Sequence, residues 1–445
     1  LKIVIDVAVS WIDNLEANFS YNHRRIQSIL EVRAMKRYLP MLFLILMVMA
    51  GITTPLLLAG DSGKDIVIGK AYTISSKILN EERTILVYTP FGYENPEVRL
   101  PVLYLLDGEA HFHHISGLVQ FFTKNGLISP MIVVAISNTD RKRDFTPTRV
   151  EKLPTGGGAD QFLDFMEKEL FPMVESKFRT QPYRILVGHS LGGLFAVHAF
   201  LSRPNLFQAT FAISPWLVYD VQSTMNDLKV FVKKKSPGES FLYISTGNEE
   251  PEVVQSVKSF IQALEEAKVP DLVDVSEFFE NENHGSVVHQ SVYNGLRHLY
   301  KKWPITSDLV NLGVEGIEKK FQELSKEFGY EIPIPEGVLN LMGYYLLEMD
   351  RIEDAVSTFK RNVELYPESA NVYDSLGEGL EALEQLEMAK KNYMEAIERA
   401  KKLKDPNLPI FREHLERVRQ KLESEISMGE KKILKPGSPS SHPIY

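Results

Sequence analysis

From Asp65 to about Trp303, short runs rich in β-branched and aromatic residues alternate with longer helical stretches. This alternation is what most constrains the fold. The strand-like runs are 66–75, 83–89, 102–106, 132–137, 185–187, 210–213, 241–245 and 273–279, and the clearest helical stretches are 159–178, 191–201 and 251–268. Short apolar runs of this kind suit strands buried on both faces. Helices placed between them carry the chain back across the sheet and make neighbouring strands parallel. The expectation is an α/β domain over residues 61–303, with a central, mostly parallel sheet and its ligand site beyond the carboxyl ends of the strands. The short Asn80-Glu81-Glu82 turn predicts that the first two strands pair antiparallel.

After Trp303 the texture changes to Glu, Lys and Leu without strand-like runs. Gly343 recurs as Gly377, Ala355 as Ala389 and Phe359 as Tyr393, a period of 34. Small residues at 343 and 355 let two helices of a hairpin approach, while Leu346 and Phe359 fill the space between them. The pattern is similar to the tetratricopeptide repeat, with Lys401 standing where the second unit would close on proline. The reading is a helical linker over 304–334, repeats over 335–425 ending in a capping helix from about Leu408 to Ser424, and a disordered tail over 426–445. Stacked repeats of this kind suggest a protein partner.

Residues 1–60 read as a leader. Met35-Lys36-Arg37 precedes an apolar run from Leu39 to Ile52, and Leu58-Ala59-Gly60 offers small residues for cleavage. That is the pattern of a signal peptide. The alternative is an uncleaved membrane anchor, since 39–59 is just long enough to span a bilayer. Residues 1–34 read as an upstream extension before Met35. The expectation is export, to a periplasm or outside the cell, or anchoring by this segment. With 50 basic and 59 acidic side chains the net charge is −9, against a nucleic-acid partner. The chain has no cysteine, which excludes disulfides, thiolate zinc sites and a cysteine nucleophile.

The strongest local motif is Gly188-His189-Ser190-Leu191-Gly192, directly after a strand-like run and before an apolar helix. In that setting G-x-S-x-G is a nucleophile elbow. The serine sits on a sharp turn, and the amide of Leu191 faces the developing oxyanion. A serine hydroxyl needs a base. Of 11 histidines, His284 alone stands in a polar loop between the last strand and a final helix, where this chain order places the base. His289 and His298 fall within that helix. The acid must follow the strand at 241–245, where Glu249 and Glu250 are adjacent; Glu250 is the favoured residue, with Glu249 close behind. The second oxyanion amide is expected in Leu106-Asp107-Gly108-Glu109, at Glu109. Trp216, in Ile213-Ser214-Pro215-Trp216, is placed to wall the acyl pocket. His111, His113 and His114 fit neither one helix face nor one strand face. They are read as lining the mouth of the cleft, with no metal and no cofactor.

These motifs occur in an order that resembles the putative-esterase family of α/β-hydrolases, which includes siderophore esterases and is related to S-formylglutathione hydrolase. The residues that carry the resemblance are Tyr104-Leu-Leu-Asp107-Gly108-Glu109, Asn138-Thr-Asp-Arg-Lys-Arg143-Asp144-Phe-Thr146-Pro147, Glu169-Leu-Phe-Pro172, Gly188 to Gly193, Ile213-Ser-Pro-Trp216 and His284-Gly-Ser-Val287. The resemblance implies an α/β-hydrolase fold, Ser190 as nucleophile, His284 as base and a carboxylate near Glu250. It also implies that 143–147 is a structural segment in which Arg143 can contact substrate. A serine hydrolase acting on a small-molecule carboxylic ester is the leading expectation. An acyltransferase using the same acyl enzyme, or a scaffold with an inert hydrolase domain, are the alternatives.

Overall fold

The computed structural model describes residues 64–150, 155–233 and 239–433. The leader and the last twelve residues of the tail lie outside them. Eight strands form one sheet: β1 Lys70–Ser76, β2 Glu81–Tyr88, β3 Leu100–Leu105, β4 Ile132–Ile136, β5 Thr180–His189, β6 Ala209–Ile213, β7 Ser240–Gly247 and β8 Leu272–Phe279. Their order is β1-β2-β4-β3-β5-β6-β7-β8. β2 pairs antiparallel with β1 and β4, and every later pairing is parallel. The expected antiparallel start is present, with Asn80 in the left-handed region at the turn.

In the hydrolase region the helices are α1 Gly108–Lys124, α2 Arg141–Phe145, α3 Ala159–Phe165, α4 Phe171–Lys177, α5 Leu191–Ser202, α6 Val221–Lys233, α7 Pro251–Ala267 and α8 Val287–Leu299. α3 and α4 are the stretch expected as one helix; a π-helical turn at Met166–Leu170 divides it. Two apolar clusters cover the sheet. One packs α3 to α7 on one face, around Phe145, Phe162 and Phe195. The other packs α1 and α8 on the opposite face and continues without a break into the C-terminal helices. β3, β4, β6 and β7 are buried at every residue, as strands covered on both faces must be.

The C-terminal helices are α9 Ser307–Asn311, α10 Gly313–Phe328, α11 Glu336–Glu348, α12 Ile352–Leu365, α13 Ala370–Ala382, α14 Leu386–Leu403 and α15 Leu408–Ile433. α11 with α12 and α13 with α14 are antiparallel hairpins. The period of 34 is written into their packing. A Cβ on Gly343 would stand 2.2 Å from the Phe359 ring, and one on Gly377 would stand 2.5 Å from the Tyr393 ring. α10 docks on the hydrolase region, where Phe328 stacks on Tyr300 at 5.0 Å. α15 runs to Ile433, so the stretch from 426 that was expected to be disordered begins as helix.

Candidate active site

β5 delivers the elbow. Ser190 follows it with φ 61° and ψ −118°, a strained conformation for a side chain other than glycine. The turn closes because its flanks are glycines. A Cβ on Gly188 would lie 2.1 Å from the carbonyl oxygen of Gly192, and one on Gly193 2.8 Å from that of Ile213. The Ser190 amide donates to the Ile213 carbonyl (3.0 Å), and the Ser190 carbonyl accepts from Leu194 (2.9 Å) and Trp216 (3.1 Å). The backbone is therefore pinned on both sides while Oγ points outward.

Ser190 Oγ lies 3.0 Å from His284 Nε2, and His284 Nδ1 lies 2.5 Å from Glu249 Oε2. The carboxylate that meets His284 is thus Glu249 and not the favoured Glu250. Glu250 is the exposed N-cap of α7, and its carbonyl accepts the amides of Val253 and Val254. At the positive end of a helix its carboxylate is solvated, one residue too late to turn inward. The Glu249 side chain is wholly buried. Its Oε1 accepts from Ser214 Oγ, the Gly247 amide (3.0 Å) and Thr246 Oγ1 (3.2 Å), leaving Oε2 to the imidazole. Burial alone would raise its pKa, but the hydrogen bonds from His284, Ser214 and Gly247 outweigh that and hold it at about 2. An ionised carboxylate only accepts, so His284 carries its proton on Nδ1 and offers the Nε2 lone pair to the serine.

The expected oxyanion amides both stand at helix starts. Leu191 opens α5 and Gly108 and Glu109 open α1, so their amides have no helical carbonyl to bond. Asp107, just before, is left-handed at φ 53°. Its carboxylate accepts from Arg141 Nε (2.6 Å), Arg141 Nη2 (3.0 Å) and Asn138 Nδ2 (2.7 Å). Arg141 Nη2 also donates to the His189 carbonyl (3.1 Å), tying the oxyanion loop to the elbow. Arg141, not Arg143, is the arginine beside the elbow. Arg143 is turned away into an ionic network with Glu81 and Asp144, whose other member is the fully buried Arg83. Two helical residues two apart point about 200° from one another, which is why the two arginines of this short helix serve different places.

Trp216 borders the site, with its ring 5.8 Å from the His284 ring. His189 lies behind, and its Nε2 donates to the His284 carbonyl (2.7 Å). Burial and the neighbouring His284 push its pKa down to about 4, so the ring is neutral. His111 and His114, three apart, do share a face of α1, unlike the expectation: their ring nitrogens are 3.0 Å apart, and His114 is 3.1 Å from His289. Burial and the surrounding imidazoles hold His114 down to about 4. These rings form a rim beside His189, with the His111 ring 5.9 Å from it. A separate cleft of about 580 Å³ opens at the opposite, amino-terminal end of β6 to β8, against α10, and contains none of these groups.

Sequence reasoning missed Ser214, Thr246, Asn138 and Arg141. Ser214 carried one signal, its place in the Ile-Ser-Pro-Trp segment after a strand. Asn138 and Arg141 stood in the segment 138–147 without a role assigned to either, and Thr246 acts only through the turn that brings Glu249 inward.

Residues 76–290 match the family model described as "Putative esterase". This span, just under half of the chain, is similar to the putative esterase family. A siderophore triacetylfusarinine C esterase of Aspergillus fumigatus is 29% identical over 265 residues, covering 50% of this chain and 90% of the relative. The ferri-bacillibactin esterase BesA of Bacillus subtilis is 32% identical over 196 residues, covering 39% of this chain and 64% of the relative. Among solved structures, an IroE-like serine hydrolase from Shewanella oneidensis superposes with TM-score 0.61 at 29% identity, over 66% of this chain and 99% of that one. The esterase domain thus has the α/β-hydrolase fold, and its enzyme class is carboxylic ester hydrolase.

Proposed function

We propose that this protein is a serine esterase that cleaves small-molecule carboxylic esters through an acyl enzyme, siderophore esters foremost. The observation that carries the reading is the unbroken line from Ser190 Oγ through both nitrogens of His284 to a buried, ionised Glu249. In the first step His284 Nε2 takes the serine proton as Oγ bonds to the ester carbonyl carbon. Glu249 stabilises the imidazolium, and the amides of Leu191 and of the Gly108–Glu109 start of α1 bond the oxyanion. The imidazolium returns its proton to the leaving alkoxide oxygen, giving the free alcohol and acyl-Ser190. Water, deprotonated by His284, then hydrolyses that ester and restores the serine. Trp216 walls the acyl side. The siderophore preference rests on the relatives, which are named for triacetylfusarinine C and ferri-bacillibactin.

A fluorophosphonate probe should label the wild type at Ser190 and not Ser190→Ala. A panel of p-nitrophenyl esters and of ferric tri-ester siderophores then ranks substrates. Absence of labelling in folded protein refutes the nucleophile, while turnover of simple esters only refutes the siderophore preference. The basic-then-apolar leader supports export or anchoring, which cell fractionation with an epitope after 433 tests.

A further inference from the structure

The ester chemistry leaves one polar cluster unused, far along the chain in the helical region. α13 carries Asp374, Glu378 and Glu381 on one face toward α15. Glu381 is compensated: Arg417 Nη2 and Lys421 Nζ each lie 2.9 Å from its carboxylate. Asp374 and Glu378 have no such partner; among the described residues no Lys or Arg pairs with either, and only His414 of α15 faces both. Asp374 is nevertheless 4% exposed. Arg417 adds a favourable field at Asp374 without touching it, so the one group that meets both carboxylates directly is the His414 imidazole.

The geometry of the imidazole is specific. His414 Nδ1 stands 3.0 Å from both oxygens of Asp374, which therefore accept Nδ1–H and fix the tautomer. That leaves Nε2 on the side of Glu378, 3.9 Å from its Oε1, too far for a hydrogen bond. With metal–ligand bonds of about 2.0–2.2 Å, two ligands of one ion stand roughly 3–4 Å apart. The other oxygen of Glu378 accepts from Tyr344 Oη at 2.5 Å, which orients the carboxylate. One ligand atom from each of Asp374, Glu378 and His414 lies within 4.8 Å of the others. A carboxylate holding the far nitrogen of a histidine is the usual outer support of a metal-ligating imidazole.

We propose that His414 Nε2 and Glu378 bind a divalent ion of the zinc class, with Asp374 as the supporting carboxylate, and that the ion clamps the last helix to α13. An imidazole with carboxylates suits Zn²⁺, Co²⁺ or Ni²⁺ better than Ca²⁺ or Mg²⁺. Water completes the coordination. The site is independent of ester hydrolysis.

The test uses the full chain, stripped of metal and titrated with ZnCl₂ at pH 7.5 by calorimetry, with thermal unfolding as a second readout. One ion should bind and raise the melting temperature. Glu378→Gln should abolish that binding. It is the variant of choice because the Glu378 side chain is 28% exposed and its loss leaves the Asp374–His414 pair intact. Asp374→Asn should weaken binding about 10–100-fold. His289→Ala, which opens the imidazole rim of the active site, should leave it unchanged. No binding up to about 1 mM zinc, or binding that survives Glu378→Gln, overturns the proposal. Binding lost in His289→Ala assigns the ion to the rim instead and overturns it equally.

Discussion

Adjacent glutamates divide the work at the end of β7, and a single pair of variants separates them. Glu249→Gln keeps the shape but presents an amide that can force the wrong imidazole tautomer. We expect kcat to fall on the order of 10⁴-fold. Glu250→Gln changes an exposed helix cap and should leave kcat within about twofold. Ser190→Ala should cost on the order of 10⁶-fold, and combining it with Glu249→Gln should cost no more, because the residues act as a unit. Steady-state rates on one p-nitrophenyl ester decide all three. Equal activity of Glu249→Gln and wild type would remove Glu249 from the triad.

At the scale of elements, the β5–α5 elbow is the tightest join in the site. Its outward serine depends on the close approach of the Gly188 and Gly192 backbones, and a methyl group at 188 would stand 2.1 Å from the Gly192 carbonyl oxygen. Backbone cannot yield as a side chain can. Gly188→Ala should therefore cost roughly 1–3 kcal/mol in stability, read as a lower urea midpoint. It should also inactivate the enzyme by tilting Ser190 away from His284. A variant as stable and active as wild type would mean that the turn has another low-energy form. The same logic of absent methyl groups governs the helix hairpins, where Gly343 and Gly377 admit Phe359 and Tyr393.

For the whole molecule, the apolar cluster on one face of the sheet continues into the helical region through Tyr183, Tyr300, Trp303 and Phe328. A chain cut after Lys302 would expose Tyr183 and Tyr300, which are 6% and 1% exposed in the intact protein. A cut after Glu331 keeps Trp303 and α10. We expect the longer fragment to melt higher and stay active, and the shorter to aggregate or melt lower. Equal melting temperatures would show that α10 adds nothing to the esterase domain. Acidification acts at this scale too. The native pKa of His189 is lowered to about 4 from 6.5. Between those values the unfolded chain binds a proton that the native state refuses, so stability falls as pH drops from about 6.5 to about 4. Glu249 has its pKa lowered from 4.5 to about 2, so its contribution is full above about 4.5 and is lost as pH falls toward 2. Melting temperature should thus decline from pH 7 to 4, and less steeply in His189→Gln. A flat profile over that range would show His189 to be hydrated rather than buried.

What the sequence determined by itself was whatever local pattern and chain order can carry. Alternation of apolar runs with helical stretches specified the α/β sheet, because buried strands and covering helices have different periods. The glycines around Ser190 specified the elbow, because only they permit its backbone approach. The order of serine, acid and histidine specified His284, and the recurrence of 343 at 377 specified the hairpins. Tertiary structure decided what depends on direction. Glu249 and Glu250 are equivalent as letters, and only the way β7 hands over to α7 turns one inward. Arg141 and Arg143 share a short helix, yet one bonds Asp107 beside the nucleophile and the other a distant ionic network. Ser214, Thr246 and Asn138 act from loops brought together by the sheet, and Asp374 meets His414 forty residues on only because two helices pack side by side. Side-chain orientation and long-range contact are set by the packing of the whole chain, and no short pattern encodes them.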